Sequence, residues 1–154
     1  MDKEHAVQSL TDTMAKFTAY IGKRLPKDVK SKLIELKTLE TNPLAKSIYD
    51  SMDENQEAAD RLNRPSCQDT GVIQYFVEAG AHFPLLGELQ EILREATEEA
   101  TRTGPLRHNA VETFDEKNTG TNTGTQIPWL DWRIVPEQDT CTIDVYMAGG
   151  GCTL

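Results

Sequence analysis

Positive charge is scarce in the second half of this sequence. The 154 residues include 16 Lys and Arg and 25 Asp and Glu, which gives a net charge of −9. Residues 1–64 carry equal numbers of both signs, so the whole excess of negative charge lies in residues 65–154. Nucleic acids and anionic membrane surfaces bind to basic faces, so this distribution argues against both as partners. An anionic substrate would have to be held by backbone N–H groups, a metal, another chain, or the few basic residues of this half, which are Arg94, Arg102, Arg107, Lys117 and Arg133.

Long hydrophobic runs and paired cysteines are also missing. The longest apolar stretch, Val72–Val77, is far below the roughly 20 residues that cross a bilayer, and no apolar signal-peptide run follows Met1. We therefore expect a cytoplasmic protein. The three cysteines are an odd number, which argues against a disulfide framework, and their spacing matches no zinc motif.

The first 62 residues show helical periodicity. Apolar residues spaced by three and four from Val7 to Ile21 predict an amphipathic helix. Pro26 and Pro43 suit the first turns of two further helices, and Asn42 is a typical cap for the third. We expect the apolar stripes of all three helices to face inward, including the stripe of Leu44, Ile48 and Met52 on the third.

The remaining residues, 63–154, change in character. A polar loop over 63–71 is followed by a predicted strand at Val72–Val77 and a predicted helix from about Gly87 to Thr101. Two more strands are predicted at Trp129–Val135 and Thr140–Met147, with turn residues between them. The sequence therefore predicts a single α+β domain over residues 1–154. Its helical N-terminal region, residues 1–62, packs on a mixed or antiparallel sheet formed within residues 63–154.

Cys67 is the most informative candidate for chemistry. It lies in a polar loop, which is not the setting of an inert core thiol. Its residue environment leaves three interpretations open: a loop cysteine without a role, a nucleophile with His82 or His108 as base, or a metal ligand. Two other segments are rich in glycine and small polar residues, which lets their backbones approach a ligand: residues 118–125 and 149–151.

Five segments resemble a known family, in the order in which that family has them. They are Leu62–Gly71, Phe83–Leu89, Pro105–Glu112, Asn118–Gly124 and Met147–Leu154. The resemblance is to the class I, iron–sulfur-dependent fumarases and tartrate dehydratases. It is strongest to the α subunits of the tartrate dehydratase branch, and it covers essentially the whole chain.

The resemblance implies roles for particular residues. Enzymes of this family use a [4Fe-4S] cluster held by three cysteines, whose remaining iron acts as a Lewis acid on the leaving hydroxide. Cys67 would be one cluster ligand, and Asp69 a catalytic acid, base or orienting group. Gln68, Arg107 and Gly151 would bind the substrate, with the Arg107 guanidinium holding a carboxylate.

The resemblance also implies a reaction and a partner. The expected reaction is the dehydration of (2R,3R)-tartrate, a small dicarboxylate, to oxaloacetate, with a β subunit as partner in an assembly of two α and two β subunits. The alternatives are a class I fumarate hydratase and a non-catalytic truncated subunit. The family's other two cluster cysteines lie beyond residue 154, and neither Cys141 nor Cys152 matches them. We therefore expect an incomplete domain that is inactive by itself, in which Cys141 and Cys152 neither bind the cluster nor form a disulfide.

Overall fold

The computed structural model describes residues 2–67 and 69–149. These residues form four helices and one three-stranded sheet, which confirms the predicted α+β class. The helices are α1 (Lys3–Ile21), α2 (Lys27–Leu39), α3 (Pro43–Leu62) and α4 (Leu89–Thr103), and the strands are β1 (Val72–Gly80), β2 (Trp129–Val135) and β3 (Cys141–Ala148). Within the described ranges, no helix combines the length and the apolar character needed to cross a membrane.

Both ends of α3 follow from local chemistry, and the start is the one that the sequence predicted. Pro43 occupies the first turn, where its missing N–H is not needed. The Asn42 side chain accepts a hydrogen bond from the Leu44 backbone N–H at 2.9 Å. At the other end, Asn63 adopts a left-handed conformation with φ of 49°, which asparagine tolerates better than most residues. The chain therefore leaves the helix abruptly just before Cys67.

The sheet is mixed, with β1 in the centre. Strand β2 pairs with β1 in parallel, and β3 pairs with β1 in antiparallel fashion. The turn at residues 136–139 joins two strands that are not neighbours, because β1 lies between them. The start of β1 therefore lies beside the end of β3, where Val72 is opposite Ala148.

Helices α1 and α4 pack on one face of the sheet. Alternate residues of β1, from Ile73 to Ala79, are buried against the apolar stripe of α4. The apolar side chains of α4 are all buried, namely Leu89, Ile92, Leu93, Ala96 and Ala100. The Tyr75 hydroxyl hydrogen-bonds to Thr18 of α1 at 3.0 Å and to Thr97 of α4 at 3.1 Å. One buried phenol thus connects the central strand to both helices of the core.

The predicted inward orientation of the apolar stripe on α3 is wrong for the described chain. Leu44 is 72% exposed, and Ile48 and Met52 are also exposed. Helix α2 has no buried residue. The two helices are joined instead by ion pairs, in which Lys37 contacts Asp50 and Asp53, each at 2.7 Å. Amphipathic spacing predicted the apolar stripe correctly, but it does not determine whether another element packs against that stripe.

Candidate active site

The loop that contains Cys67, residues 63–71, is held between two helices and the sheet. The Ser66 N–H donates to the Gly22 carbonyl at the end of α1 at 3.4 Å, and the Asn55 side chain of α3 donates to the Ser66 carbonyl at 2.7 Å. Cys67 itself is exposed and has a free thiol. We refer to residues 63–71 as the Cys67 loop. As predicted, it follows directly on a helix.

The end of the Cys67 loop forms a tight turn around the Asp69 carboxylate. Asp69 Oδ1 accepts a hydrogen bond from the Gly71 N–H at 2.8 Å. Gly71 has φ of +81°, and a Cβ built on it would lie 2.5 Å from the carbonyl carbon and oxygen of Ala148. Only glycine fits this contact without a shift of the backbone. The turn therefore brings the loop directly against the end of β3.

Gly149, the first glycine after β3, lies beside the Asp69 carboxylate. A Cβ built on Gly149 would be 3.5 Å from Asp69 Oδ2. The glycine-rich segment singled out in the sequence thus begins next to the proposed catalytic carboxylate. Gln68, Gly151 and Cys152 lie outside the described residues.

Residues 105–110, which we call the Arg107 segment, contact the Cys67 loop directly. The Arg107 N–H donates to Thr70 Oγ1 at 3.1 Å. The Asn109 side-chain amide donates to Asp69 Oδ1 at 3.1 Å, Thr70 Oγ1 at 3.3 Å and the Gly71 carbonyl at 3.2 Å. Segments about 40 residues apart in sequence therefore meet through hydrogen bonds.

The loop of residues 118–125 is the third part of the site. The Asn122 side chain joins it by hydrogen bonds to the Arg107 segment and to α4. The side-chain oxygen of Asn122, Oδ1, accepts from the backbone N–H groups of Asn109 at 2.7 Å and Ala110 at 3.3 Å. Its amide donates to the Arg107 carbonyl at 2.7 Å and to Thr101 Oγ1 of α4 at 3.2 Å. We call residues 118–125 the Asn122 loop. It holds the Arg107 segment on α4.

Arg107 differs from the other arginines of the second half. Arg94 pairs with Glu91 and Glu98, Arg102 with Glu99, and Arg133 with Glu78. The Arg107 guanidinium is exposed and makes no ion pair with any residue in the described part of the chain. Because the other three guanidinium charges are already compensated, Arg107 is the arginine of this half best suited to an external anion.

The order of the elements excludes one of the two histidines, His82 and His108, that could act as a base for Cys67. The Cys67 loop precedes β1, whereas His82 follows the other end of that strand. Nine residues of strand separate the two ends by about 30 Å, so His82 cannot act on the Cys67 thiol. His108 lies in the Arg107 segment, on the same side of the molecule as the Cys67 loop, and is exposed.

The thiols of the described residues do not gather into a metal site. Cys141 is a free, half-buried thiol on β3, and burial raises the pKa of this thiol. Across residues 2–67 and 69–149, no group of three or more His, Cys, Asp or Glu side chains is close enough to hold a metal ion. Cys67 is therefore at most one ligand of a larger set.

Three site residues were not singled out by the sequence analysis. Thr70, Asn109 and Asn122 make most of the hydrogen bonds that join the three segments. Asn109 and Asn122 lie in two of the five family-like segments, which is the one sequence signal that points to them. Their uncharged side chains are typical of turns, so residue type alone does not distinguish them from ordinary loop residues.

Comparison with known proteins is consistent with this arrangement. The model of the fumarate hydratase (Fumerase) family matches residues 11–154. The chain is 58% identical over 153 residues to the L(+)-tartrate dehydratase subunit alpha of Escherichia coli K12, and equally so to that of Shigella boydii. A Geobacillus stearothermophilus protein that carries the name of a class I fumarate hydratase is 27% identical over 147 residues.

Each alignment covers nearly all of this chain but a much smaller share of the relative. The alignment covers 99% of this chain but 50% of the Escherichia coli and Shigella proteins, and 95% of this chain but 28% of the Geobacillus protein. The chain thus spans about half the length of the first of these relatives. The family match nevertheless includes all three segments of the site. The chain belongs to the fumarate hydratase (Fumerase) family of hydro-lyases.

Proposed function

We propose that this chain supplies part of the active site of a hydro-lyase that dehydrates (2R,3R)-tartrate to oxaloacetate. The observation that carries the proposal is the junction of the Cys67 loop, the Arg107 segment and Gly149. It brings the Asp69 carboxylate beside a glycine backbone, and it joins them to the segment that carries Arg107, whose guanidinium makes no ion pair with a described residue. The 58% identity to L(+)-tartrate dehydratase α subunits supports tartrate as the substrate.

Arg107 is assigned to substrate binding. Its guanidinium can grip a carboxylate with two parallel hydrogen bonds, and the bonds are stronger because both groups are charged. The chain carries a net charge of −9, which repels a dicarboxylate dianion. A cation that is not already paired is therefore needed to hold the substrate. Gln68 and Gly151 are assigned to the same task by the family resemblance.

Asp69 is assigned to proton transfer or to orientation of the substrate. Dehydration removes a proton from one carbon of tartrate and hydroxide from the neighbouring carbon. The C–H electron pair becomes the new double bond, and the resulting enol tautomerises to oxaloacetate by gaining a proton on carbon and losing its hydroxyl proton. The Asp69 carboxylate can accept the C–H proton, and its Oδ1 is already fixed by hydrogen bonds from Gly71 and Asn109.

The described residues do not fit a complete iron–sulfur cluster. A [4Fe-4S] cluster of this family needs three cysteine ligands, and Cys67 is the one cysteine of the site among the described residues. We propose Cys67 as one ligand, with the others supplied from outside these residues, and with a β subunit completing the enzyme in an assembly of two α and two β subunits in the cytoplasm.

Fumarate hydratase is the second candidate function. The matching family model carries that description, and so does the name of the Geobacillus relative. Both reactions add or remove water across two carbons that carry carboxylates, so the same Asp69 and Arg107 would serve either one. The identity of the substrate therefore has to be measured.

The test uses a chimera in which this chain replaces the aligned half of the Escherichia coli L(+)-tartrate dehydratase α subunit, expressed with that enzyme's partner subunit. Oxaloacetate formation from (2R,3R)-tartrate is compared with malate formation from fumarate, under anaerobic conditions. Turnover of tartrate with little hydration of fumarate is expected. Preference for fumarate would establish the second candidate, and a folded, assembled chimera without either activity would refute both.

Arg107→Gln in the chimera tests the binding role, and Lys117→Gln is its matched control. Both changes remove one exposed positive charge from the second half of the chain, and neither residue makes an ion pair with a described residue. Loss of a charged hydrogen-bond partner predicts a KM for tartrate about 10- to 100-fold higher for Arg107→Gln. Lys117→Gln is expected to leave KM within twofold; equal effects of the two variants would remove the assignment of Arg107.

A further inference from the structure

The geometry of the site points to two asparagines as positioning residues. We propose that Asn109 holds the Asp69 carboxylate in its reactive orientation and that Asn122 holds Asn109. This inference rests on the proposed function and extends it, because it assigns a source for the alignment of the proton-accepting group.

Asn109 hydrogen-bonds to three groups of the turn at Asp69. Its Nδ2 lies 3.1 Å from Asp69 Oδ1, 3.3 Å from Thr70 Oγ1 and 3.2 Å from the Gly71 carbonyl oxygen. The Gly71 N–H donates to the same Asp69 Oδ1 at 2.8 Å. Two donors from different segments thus fix one carboxylate oxygen, and the other, Oδ2, lies on the side of Gly149.

Asn122 fixes the backbone that carries Asn109. It is 4% exposed, and both ends of its side-chain amide are occupied. The carbonyl oxygen accepts from the Asn109 and Ala110 N–H groups, and the amide nitrogen donates to the Arg107 carbonyl and to Thr101. A buried, fully bonded amide is costly to disturb, because a lost partner leaves a polar group buried without a hydrogen bond.

Helix α4 is the rigid base of this arrangement. Thr101, which accepts from Asn122, is buried and bonds in turn to the Thr97 carbonyl at 2.8 Å. Thr123, next to Asn122, donates to Glu98 of the same helix at 3.1 Å. The path from the packed core to the reactive carboxylate therefore runs from α4 through Asn122 and Asn109 to Asp69. Sites whose orienting groups are anchored on regular elements keep their geometry best.

The inference predicts a loss of turnover rather than a loss of binding. An Asp69 carboxylate that is no longer held by Asn109 samples orientations away from the substrate proton. Misplacement of a reacting group by about 1 Å can lower a rate about 100-fold. Tartrate binding is assigned to the Arg107 guanidinium, and the Asn109 side chain donates its described hydrogen bonds to Asp69, Thr70 and Gly71 instead. We therefore expect kcat to fall 10- to 100-fold for Asn109→Ala, with KM changed less than about threefold.

The deciding readout is the primary kinetic isotope effect on kcat with tartrate deuterated at both carbon positions. Removal of the C–H proton becomes more rate-limiting when its acceptor is misaligned, so the isotope effect is expected to rise in Asn109→Ala and in Asn122→Ala. A purely structural defect reduces the amount of active enzyme, which lowers kcat and leaves the isotope effect of the remaining molecules unchanged. The measurement therefore separates positioning from folding.

The experiment is made in the chimera, and Asn42→Ala is the matched control. That change also removes a side-chain amide, but one that caps α3 away from the site. Its isotope effect is expected to equal that of the parent chimera. If Asn109→Ala does not fold, Asn109→Ser replaces it, because the serine side chain is too short to reach Asp69 and gives the same prediction.

The outcomes distinguish the inference from the function on which it rests. An inactive parent chimera contradicts the proposed function. An active parent whose Asn109 and Asn122 variants keep both kcat and the isotope effect overturns the positioning role alone. A fall in kcat with an unchanged or smaller isotope effect also overturns it, because the asparagines would then act on folding or on another step.

Discussion

Substitution of Gly71 by alanine tests how the Cys67 loop is held against the sheet. The backbone of Gly71 has φ of +81°, and a new Cβ would lie 2.5 Å from the Ala148 carbonyl carbon and oxygen and 2.8 Å from the Gly149 nitrogen. No side-chain rotation can relieve this contact, because all three atoms belong to the backbone. The end of β3 or the Cys67 loop would have to move.

The magnitude has two parts. A non-glycine residue in the left-handed region costs about 1–2 kcal/mol, and forced overpacking costs about a further 1–3 kcal/mol. Gly120→Ala is the matched control, because Gly120 has φ of +74° and a Cβ there would meet no atom within 4 Å. The control carries the conformational cost without the clash, so the difference between the two variants, about 1–3 kcal/mol, is the steric part.

The assay is urea unfolding of the purified chain followed by far-ultraviolet circular dichroism. We expect the free energy of unfolding to be lower for Gly71→Ala than for Gly120→Ala by about 1–3 kcal/mol, with similar m-values for both. Equal stabilities, within about 0.5 kcal/mol, would refute the close contact between the Cys67 loop and the end of β3. They would also remove the geometric basis for putting Gly149 beside Asp69.

Three further results are expected. Tyr75→Phe should lower the free energy of unfolding by about 1–3 kcal/mol, measured by urea titration, because it removes the phenol oxygen that bonds to two buried threonine hydroxyls; an unchanged stability would contradict that network. In iodoacetamide labelling at pH 8, followed by mass spectrometry, Cys67 should react faster than Cys141. Cys67 is exposed, whereas burial raises the pKa of the Cys141 thiol and so lowers its thiolate fraction. The reverse order would refute the described exposures. Leu44→Ser should change the free energy of unfolding little, because Leu44 is 72% exposed. Leu93→Ala should lower it by about 2–5 kcal/mol, because Leu93 is fully buried. A large decrease for Leu44→Ser would show that the apolar face of α3 is covered.

Electrostatics explains why one arginine out of four in the second half is available to a ligand. Arg94 and Arg102 lie on α4 among glutamates spaced by three or four residues, which is the spacing that brings side chains together on a helix. Arg107 lies in a loop, where no such spacing exists, and its backbone rather than its guanidinium bonds to Thr70. The sequence indicates the scarcity of positive charge, and the structure shows that Arg107 is the arginine of this half that makes no ion pair with a described residue.

Local patterns in the sequence predicted most of the regular structure. Proline and asparagine at residues 42–43 marked the start of α3, and the predicted strand Trp129–Val135 is β2. The alternation of apolar and polar residues on the last strand matches the burial of β3. Its Ile143 and Val145 are half-buried, whereas Thr142, Asp144 and Tyr146 are exposed. Caps, breaks and periodicity act between residues a few positions apart, so they can be read without the fold.

The family-like segments predicted which parts of the chain would form the site, but not the contacts between them. The Cys67 loop, the Arg107 segment and the Asn122 loop, each of which overlaps a family-like segment, meet in the structure. The atoms that join them are the side-chain amides of Asn109 and Asn122, whose partners lie 12 to 40 residues away in sequence. Hydrogen bonds over such separations depend on how the strands and helices are arranged, so no local pattern contains them.

The sequence by itself determined the helices, the strands, the excess of negative charge and the polar loops that carry the candidate residues. The tertiary structure decided three further matters: the order β2–β1–β3, the exposure of the apolar stripe on α3, and the meeting of Asp69 with Asn109 and Gly149. The physical reason is the range of the interactions. Turn and helix preferences are set by neighbouring residues, whereas strand order and burial are set by the total apolar surface and hydrogen bonding that the whole chain can satisfy at once.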